Sequence, residues 1–144
     1  MYYGMRNSMK YLLILLTTAA FAYEFNNIEY LRAYDGDTVT VNIKNVHPLL
    51  GKKISIRVKG IDTPEIKGKT ECEKKKAIEA RDFVRDVLSK AKKLELKESS
   101  RGKYFRIVAF VIYDGKNLSD ELIKAGLAVP YDGGAKVKKD WCEK

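Results

Sequence analysis

Apolar and polar positions alternate along five segments of the chain, and a period of two predicts β-strands. The most regular segment is 38–43, which alternates without a break and is rich in β-branched residues. It follows Asp35-Gly36-Asp37, a sequence typical of a tight turn. The five predicted strands cover residues 27–33, 38–43, 53–58, 94–97 and 105–113.

The period lengthens to three and four over residues 74–92, which predicts an amphipathic helix of about five turns. The stretch before it, 66–73, is polar and predicts an exposed loop. Near the C-terminus, Ser119 or Asp120 is predicted to cap a short helix, and a last helical piece is predicted over residues 135–141. The residues at this spacing are Ala77, Ala80, Arg81, Val84, Val87, Leu88 and Ala91, and Ile78 and Phe83 widen the apolar stripe.

The order of these elements predicts the fold class. Five strands, a helix after the third and a short C-terminal helix fit an α+β, mainly β fold, the five-stranded Greek-key barrel of the OB type. The two loops with which such barrels bind oligonucleotides correspond to residues 35–37 and 99–104. With 144 residues, of which 45% are hydrophobic, the chain can form one modest core, so residues 23–144 are predicted to be a single domain.

Residues 1–22 have the pattern of a cleavable signal peptide. Arg6 and Lys10 precede the apolar run 11–16, and small residues up to Ala22 offer a signal-peptidase site, so cleavage is predicted after Ala22. The run is too short to span a bilayer comfortably, although an uncleaved membrane anchor is the alternative. Cleavage predicts an exported protein, periplasmic or secreted, without stable membrane association.

The net charge narrows the class of partner. It is +9 for the whole chain, and it is +7 for residues 23–144 because the first 22 residues contain two basic and no acidic side chains. A charge of this size favours nucleic acid, a membrane surface or an acidic polymer as partner, while a merely soluble basic protein is the alternative. Charged residues make up 33% of a chain that is also 45% hydrophobic, which excludes a disordered protein.

The two cysteines, Cys72 and Cys142, are predicted to form one disulfide. An exported chain meets an oxidising compartment, where an even number of cysteines favours pairing. Such a bridge would hold a C-terminal tail that otherwise frays. Two thiols and the single histidine, His47, do not supply the four ligands of a zinc site, and His47 is assigned to a surface loop.

Acidic residues gather where predicted strands end, and strand ends hold side chains more rigidly than loops do. Arg57 is followed by Asp62 and Glu65, and the first turn supplies Asp35 and Asp37. Taken alone, Arg57 beside two acids could be a surface ion pair of little energetic value. With the second acidic turn, the carboxylates fit a hard divalent cation, which binds carboxylate, carbonyl and water oxygens.

Arg57 and Arg106 could each donate a planar pair of N–H groups to phosphate oxygens. A metal ion, two guanidiniums and a free carboxylate are the components of phosphodiester hydrolysis. The cations stabilise charge in the transition state, and the carboxylate orients or deprotonates the attacking water.

Three segments, in this order, resemble the signature segments of the staphylococcal nuclease (thermonuclease) family. They are Asp35-Gly36-Asp37-Thr38, then Ile56-Arg57 through Ile61-Asp62-Thr63-Pro64-Glu65, and then Gly102-Lys103-Tyr104-Phe105-Arg106. The similarity covers residues 27–131. It implies a secreted, Ca²⁺-dependent endonuclease that prefers single-stranded DNA and RNA as substrates and leaves 3′-phosphate ends.

Matched by position, the resemblance also implies the metal ligands. Asp37 and Asp62 would be the Ca²⁺ carboxylates, and Thr63 would add its backbone carbonyl. Asp35 matches a family residue that lies near the metal without being a principal ligand.

The same matching implies catalytic and substrate-binding roles. Arg57 would hold the scissile phosphate, and Glu65 would be the general base or would orient the water. Arg106 would stabilise the transition state or assist the leaving group. The substrate-binding residues implied are Lys103, Tyr104 and Tyr131, the last as a replacement for a base-stacking tyrosine.

One departure from the family concerns Phe105, which stands where the best-known member has glycine and which is expected here at the start of a strand. The rival functional class is a non-catalytic barrel that binds single-stranded nucleic acid without cutting it. That class predicts missing acids or arginines, whereas this chain retains all of them. The enzyme is expected to act as a monomer.

Overall fold

A computed structural model describes residues 22–136 and 139–143. In these residues it has nine strands and three helices. In chain order they are β1 (Tyr23–Phe25), β2 (Ile28–Ala33), β3 (Thr38–Ile43), α1 (Pro48–Gly51), β4 (Ile54–Val58), β5 (Ile61–Asp62), α2 (Glu71–Lys90), β6 (Leu94–Arg101), β7 (Ile107–Tyr113), β8 (Lys116–Asn117), α3 (Leu118–Lys124) and β9 (Val129–Pro130).

Seven strands form one curled sheet in the order β1-β6-β7-β4-β3-β2, with β8 paired to β7. The pairs are antiparallel except for β4 and β7, which run parallel. Only residues 26–27 separate β1 from β2, yet these strands lie at opposite edges, so the first part of the chain joins the two edges. This arrangement confirms the predicted α+β fold of the OB type.

The helix α2 covers one end of the curled sheet and supplies its buried face to the core. Its buried residues recur at three- and four-residue spacing, as predicted: Ala77, Ala80, Val84 and Leu88. The helix begins at Glu71 because the Thr70 hydroxyl accepts a hydrogen bond from the Glu73 N–H at 3.2 Å. The predicted start at residue 74 and end at residue 92 were therefore wrong by three and two residues.

The turn between β6 and β7 differs most from the prediction. β6 continues to Arg101, and β7 begins only at Ile107. Tyr104 and Phe105 have φ angles of 56° and 59°, a left-handed conformation that a strand does not use. The Gly102 N–H closes the turn on the Arg106 carbonyl at 2.8 Å. The prediction that Phe105 starts a strand was therefore wrong.

Two short helices adjust other predictions. His47, exposed as expected, starts α1 by accepting a hydrogen bond at Nδ1 from the Leu49 N–H at 3.3 Å. Asn117, rather than the predicted Ser119 or Asp120, caps α3 by accepting from the Ser119 N–H at 3.0 Å. Of the predicted helical piece 135–141, the described residues 135, 136 and 139–141 contain no helix.

The predicted disulfide between Cys72 and Cys142 is present, with the two Cα atoms 5.8 Å apart. It links the first turn of α2 to the C-terminal tail. No helix in residues 22–136 and 139–143 is long and apolar enough to cross a membrane. The predicted signal peptide lies outside the described residues except for Ala22.

Candidate active site

Arg57 lies between two carboxylates that come from different turns. Its Nη1 contacts Asp37 Oδ2, and its Nη2 lies 3.3 Å from Asp62 Oδ1. The backbone brings them together: Arg57 pairs with Thr38 across β3 and β4, and the Val58 N–H donates to the Asp37 carbonyl at 2.8 Å. The ion pair between Arg57 and Asp62 that was considered from the sequence thus exists, but the second acid is Asp37 rather than Glu65, and the three groups are half-buried or buried.

Asp37 is the most enclosed of the predicted site residues that carry a charge, with 7% of its surface exposed. Thr63 donates to its Oδ2 from the backbone N–H at 3.3 Å and from the hydroxyl at 3.0 Å. Burial raises the pKa of Asp37 to about 6, against the opposing effect of Arg57 and with a further rise caused by Asp35. This carboxylate is therefore held in place at an energetic cost that a bound cation would offset.

Gly36 shows why the first turn can approach the helix so closely. A Cβ at this position would lie 2.8 Å from the Ala80 Cβ and 2.9 Å from the Thr63 Cγ2. The glycine is thus required by the close contact of the turn with α2. The contact fixes the position of the neighbouring Asp37.

The segment that carries Asp62 is held from the C-terminal side of the chain. β5 pairs with β9, with Asp62 opposite Val129, and the Tyr131 N–H donates to the Gly60 carbonyl at 2.9 Å. In α3, the buried Ser119 donates its hydroxyl to the Lys59 carbonyl at 2.7 Å. These contacts fix Asp62 on the rim of the site.

Lys136 is a site residue that the sequence analysis missed. Its Nζ lies 3.0 Å from Asp62 Oδ1 and 2.9 Å from Glu65 Oε1, and so bridges a predicted metal ligand and the predicted base. Glu65 itself is exposed. In the sequence, Lys136 is one lysine in a basic tail, and no periodic pattern distinguishes it from Lys139.

Within the described residues, Arg106 forms no hydrogen bond or ion pair with Asp37 or Asp62. Its Nε donates to the Lys103 carbonyl at 3.5 Å, and its side chain lines a groove beside the β6–β7 turn. It directly precedes β7, whose Val108 pairs with Arg57 on the neighbouring parallel strand β4. Tyr104 is 85% exposed on the same turn.

Tyr131 is half-buried beside the end of β9. Its hydroxyl donates to the Gly134 carbonyl at 2.8 Å, which closes a local turn. Its role as a base-stacking residue stays a prediction.

The donor set fits a hard divalent cation in an open site. Asp37 and Asp62 both reach one guanidinium, so their carboxylates converge on the same place, and Thr63 adjoins them. Within residues 22–136 and 139–143, no three His, Cys, Asp or Glu side chains are grouped so that they could hold a metal ion. A cation here would therefore complete its coordination with carbonyl and water oxygens, which hard cations accept.

An OB-type barrel that gathers two carboxylates, a guanidinium and an exposed glutamate at its strand ends defines a centre suited to phosphodiesters. The model of the family described as staphylococcal nuclease homologue matches residues 55–141. The chain belongs to this family.

Curated relatives agree with that assignment. The chain is 38% identical over 104 residues to "Endonuclease YncB" of Bacillus subtilis, covering 71% of this chain and 46% of the relative. It is 30% identical over 120 residues to an "Uncharacterized endonuclease" of Haemophilus influenzae (83% and 61%). It is 31% identical over 99 residues to "Thermonuclease" of Staphylococcus hyicus (68% and 55%). The chain thus spans less than two thirds of the length of each of these relatives, whose names support a hydrolase of the nuclease class.

Proposed function

We propose that the protein is a metal-dependent nuclease, and more narrowly a Ca²⁺-dependent endonuclease that cleaves single-stranded DNA and RNA and leaves 3′-phosphate ends. One observation carries the proposal: the Arg57 guanidinium contacts Asp37 and Asp62 together, with Glu65 linked to Asp62 through Lys136. A guanidinium, two converging acids and one exposed carboxylate provide the charges that phosphodiester hydrolysis requires.

Ca²⁺ is favoured over Mg²⁺ by the irregular ligand set. Asp37 and Asp62 come from separate turns, and Mg²⁺ requires near-ideal octahedral geometry, whereas Ca²⁺ accepts variable geometry and several waters. Bound there, the ion supplies positive charge to a phosphate oxygen. Asp37 and Asp62 would hold such an ion, and the Arg57 guanidinium that they now contact would then be available to the substrate.

Each remaining residue has a task in the reaction. Arg57 binds the scissile phosphate through two N–H groups. Glu65 orients a water molecule and takes its proton while the water oxygen bonds to phosphorus. The bond from phosphorus to the 5′ oxygen breaks, and Arg106 stabilises the charge on the departing oxygen, which then takes a proton from solvent. The products are a 3′-phosphate and a 5′-hydroxyl.

A single-stranded substrate is favoured by the side chains around the site. Lys103 offers a positive charge, and Tyr104 presents its ring to solvent, so it can stack on an unpaired base. The net charge of +7 on residues 23–144 attracts the phosphate backbone. A duplex would keep its bases stacked inside and unavailable to Tyr104.

The test is incubation of the protein with heat-denatured DNA, with Ca²⁺ or with EGTA, followed by gel electrophoresis. We expect cleavage only with Ca²⁺, and end-group analysis is expected to find 3′-phosphates. Intact DNA in both samples, together with retained binding in a gel-shift assay, would replace the nuclease with the non-catalytic single-strand binder. Parallel samples with RNA, duplex DNA and Mg²⁺ test the substrate and metal preferences separately.

We also propose that the protein is exported and acts as a monomer. The sequence pattern of residues 1–22 and the disulfide between Cys72 and Cys142 support export, because disulfides persist in oxidising compartments. Mass spectrometry of the protein from its native host is expected to find Tyr23 at the N-terminus. A product that retains residues 1–22 and sediments with membranes would contradict this proposal.

A further inference from the structure

A groove of about 420 Å³ lies beside the β6–β7 turn, within the size range of ligand pockets. Its floor is formed by the ends of β3, β4 and β7, including Ile43, Ile54 and Ile107, and its walls come from β1, α1 and the turn. Of the five most exposed large apolar side chains in the described residues, four line this groove: Tyr23, Leu49, Leu50 and Phe105. Apolar exposure is therefore concentrated around one concave surface, which is typical of a binding site.

The shape of the β6–β7 turn keeps one aromatic ring at the edge of the groove. Tyr104 and Phe105 are consecutive non-glycine residues with positive φ, a conformation that costs energy. Phe105 is 85% exposed, and the Arg101 guanidinium lies over its ring at 5.5 Å from the centroid. The strained turn therefore keeps the Phe105 ring exposed to solvent, where a flat ligand could stack on it.

Polar groups occur at selected points of this apolar surface. Ser99 lines the groove with 5% of its surface exposed, and its hydroxyl has no hydrogen-bond partner within the described residues. A buried unpaired hydroxyl is costly, so it is suited to pairing with a ligand. Arg101 and Arg106 add two positive charges at the margin. An apolar cleft with one hydrogen-bonding group and a cationic rim matches an uncharged flat ring attached to an anion.

We propose that this groove binds one unstacked nucleobase of a single-stranded nucleic acid, with the adjoining phosphate at Arg106. The inference rests on the proposed nuclease function, because Arg106 belongs both to the groove lining and to the predicted catalytic set. The base stacks on Phe105 and meets the Ser99 hydroxyl with its polar edge. The site is separate from Lys103, Tyr104 and Tyr131, and it places a second base contact on the Arg106 side of the cleaved bond.

Other occupants fit the groove less well. A second copy of the chain would carry the same positive net charge, and it would bring more guanidinium groups towards Arg101 and Arg106. A neutral apolar ligand would leave both arginines without an anionic partner. A nucleotide supplies the ring and the phosphate together.

The test measures binding of a short fluorescent single-stranded DNA in EDTA, where cleavage is prevented, by fluorescence anisotropy. Phe105→Ala and Leu50→Ala, which alter two different elements, are each expected to weaken binding about tenfold, the scale of one lost stacking contact. Ile78→Ala is the matched control, because Ile78 is also exposed but lies on α2 outside the groove. Its affinity is expected to equal that of the wild type.

A set of oligonucleotides with one abasic position at a time makes the test specific. The wild type is expected to lose affinity at the position whose base enters the groove, and Phe105→Ala is expected to lose nothing further there, because the two changes remove the same contact. Equal losses in wild type and Phe105→Ala at every position would overturn the proposal, as would a dimer in sedimentation that Leu50→Ala converts to monomer. Cleavage of denatured DNA by the wild type is measured separately. Failure of the proposed base binding in the groove can therefore be distinguished from failure of the proposed nuclease activity.

Discussion

Replacing Asp37 with asparagine is expected to stabilise the metal-free protein while abolishing metal binding. Asp37 has 7% of its surface exposed, and its pKa is raised to about 6 from an ordinary value of 3.8, first by burial. The folded state therefore holds this proton more tightly than the unfolded state does. An asparagine removes the buried charge, and its amide oxygen can still accept the hydrogen bonds from Thr63.

The magnitude follows from the two pKa values. The contribution of Asp37 to the free energy of unfolding is greatest below pH 3.8. It falls as the pH rises from 3.8 to 6 and is constant above pH 6, and the total loss is about 3 kcal/mol. Between pH 7.5 and pH 5 the wild type should gain roughly 1 kcal/mol from this group alone. Asp37→Asn should lack that gain and should exceed the wild type at pH 7.5 by at most about 3 kcal/mol.

The assay is urea denaturation in EDTA at pH 7.5 and pH 5, with the free energy of unfolding taken from the midpoint and slope. Asp86→Asn is the matched control, since Asp86 is an exposed carboxylate paired with Lys90 on α2. At pH 7.5, added Ca²⁺ should raise the midpoint of the wild type and not that of Asp37→Asn. The reasoning is refuted if Asp37→Asn is less stable than the wild type at pH 7.5, or if both gain equally on acidification.

Three further predictions concern the base, the tail and the disulfide. Glu65→Gln should lower the cleavage rate by roughly 10²–10⁴-fold with an unchanged melting temperature, because a general base is lost and the side chain is exposed; near-normal rates would exclude Glu65 as the base. Lys136→Ala should tighten Ca²⁺ binding in calorimetric titration, because an ammonium that occupies Asp62 and Glu65 is removed; unchanged binding, matching Lys139→Ala, would count against that competition. Reduction of the disulfide should lower the free energy of unfolding by up to about 4 kcal/mol, since its cysteines are 70 residues apart; an unchanged urea midpoint would contradict this.

The regular barrel strands could be predicted because their residue types and their alternation depend on local backbone geometry. Thr38 to Ile43 alternates and is β-branched, and the strand has the predicted bounds. The turn at Phe105 could not be predicted in this way, because an apolar residue next to an apolar strand looks like part of it. Its left-handed conformation depends on how Gly102 and Arg106 close the turn, which no periodicity encodes.

In the candidate site, too, some residues could be predicted from the sequence and others could not. The grouping of Asp37, Arg57 and Asp62 was predictable, because barrel topology brings their strand ends together. The contacts of Lys136 with Asp62 and Glu65 could not be predicted, because they depend on the path of a C-terminal tail that has no periodic pattern. The enclosure that raises the pKa of Asp37 was also beyond the sequence, since burial is a property of packed neighbours.

The parallel pairing of β4 with β7 has a consequence for the time at which this centre forms. In the chain, α2 and β6 lie between β4 and β7. The partner of β5 is β9, which comes later still. Pairs so distant in sequence form late and slowly. In a growing chain, Asp62 therefore stays on an unpartnered segment until residue 130 is available, whereas Arg57 can already pair with Thr38 through β3. For the proposed nuclease, this order leaves the centre incomplete until the last strand, β9, is in place.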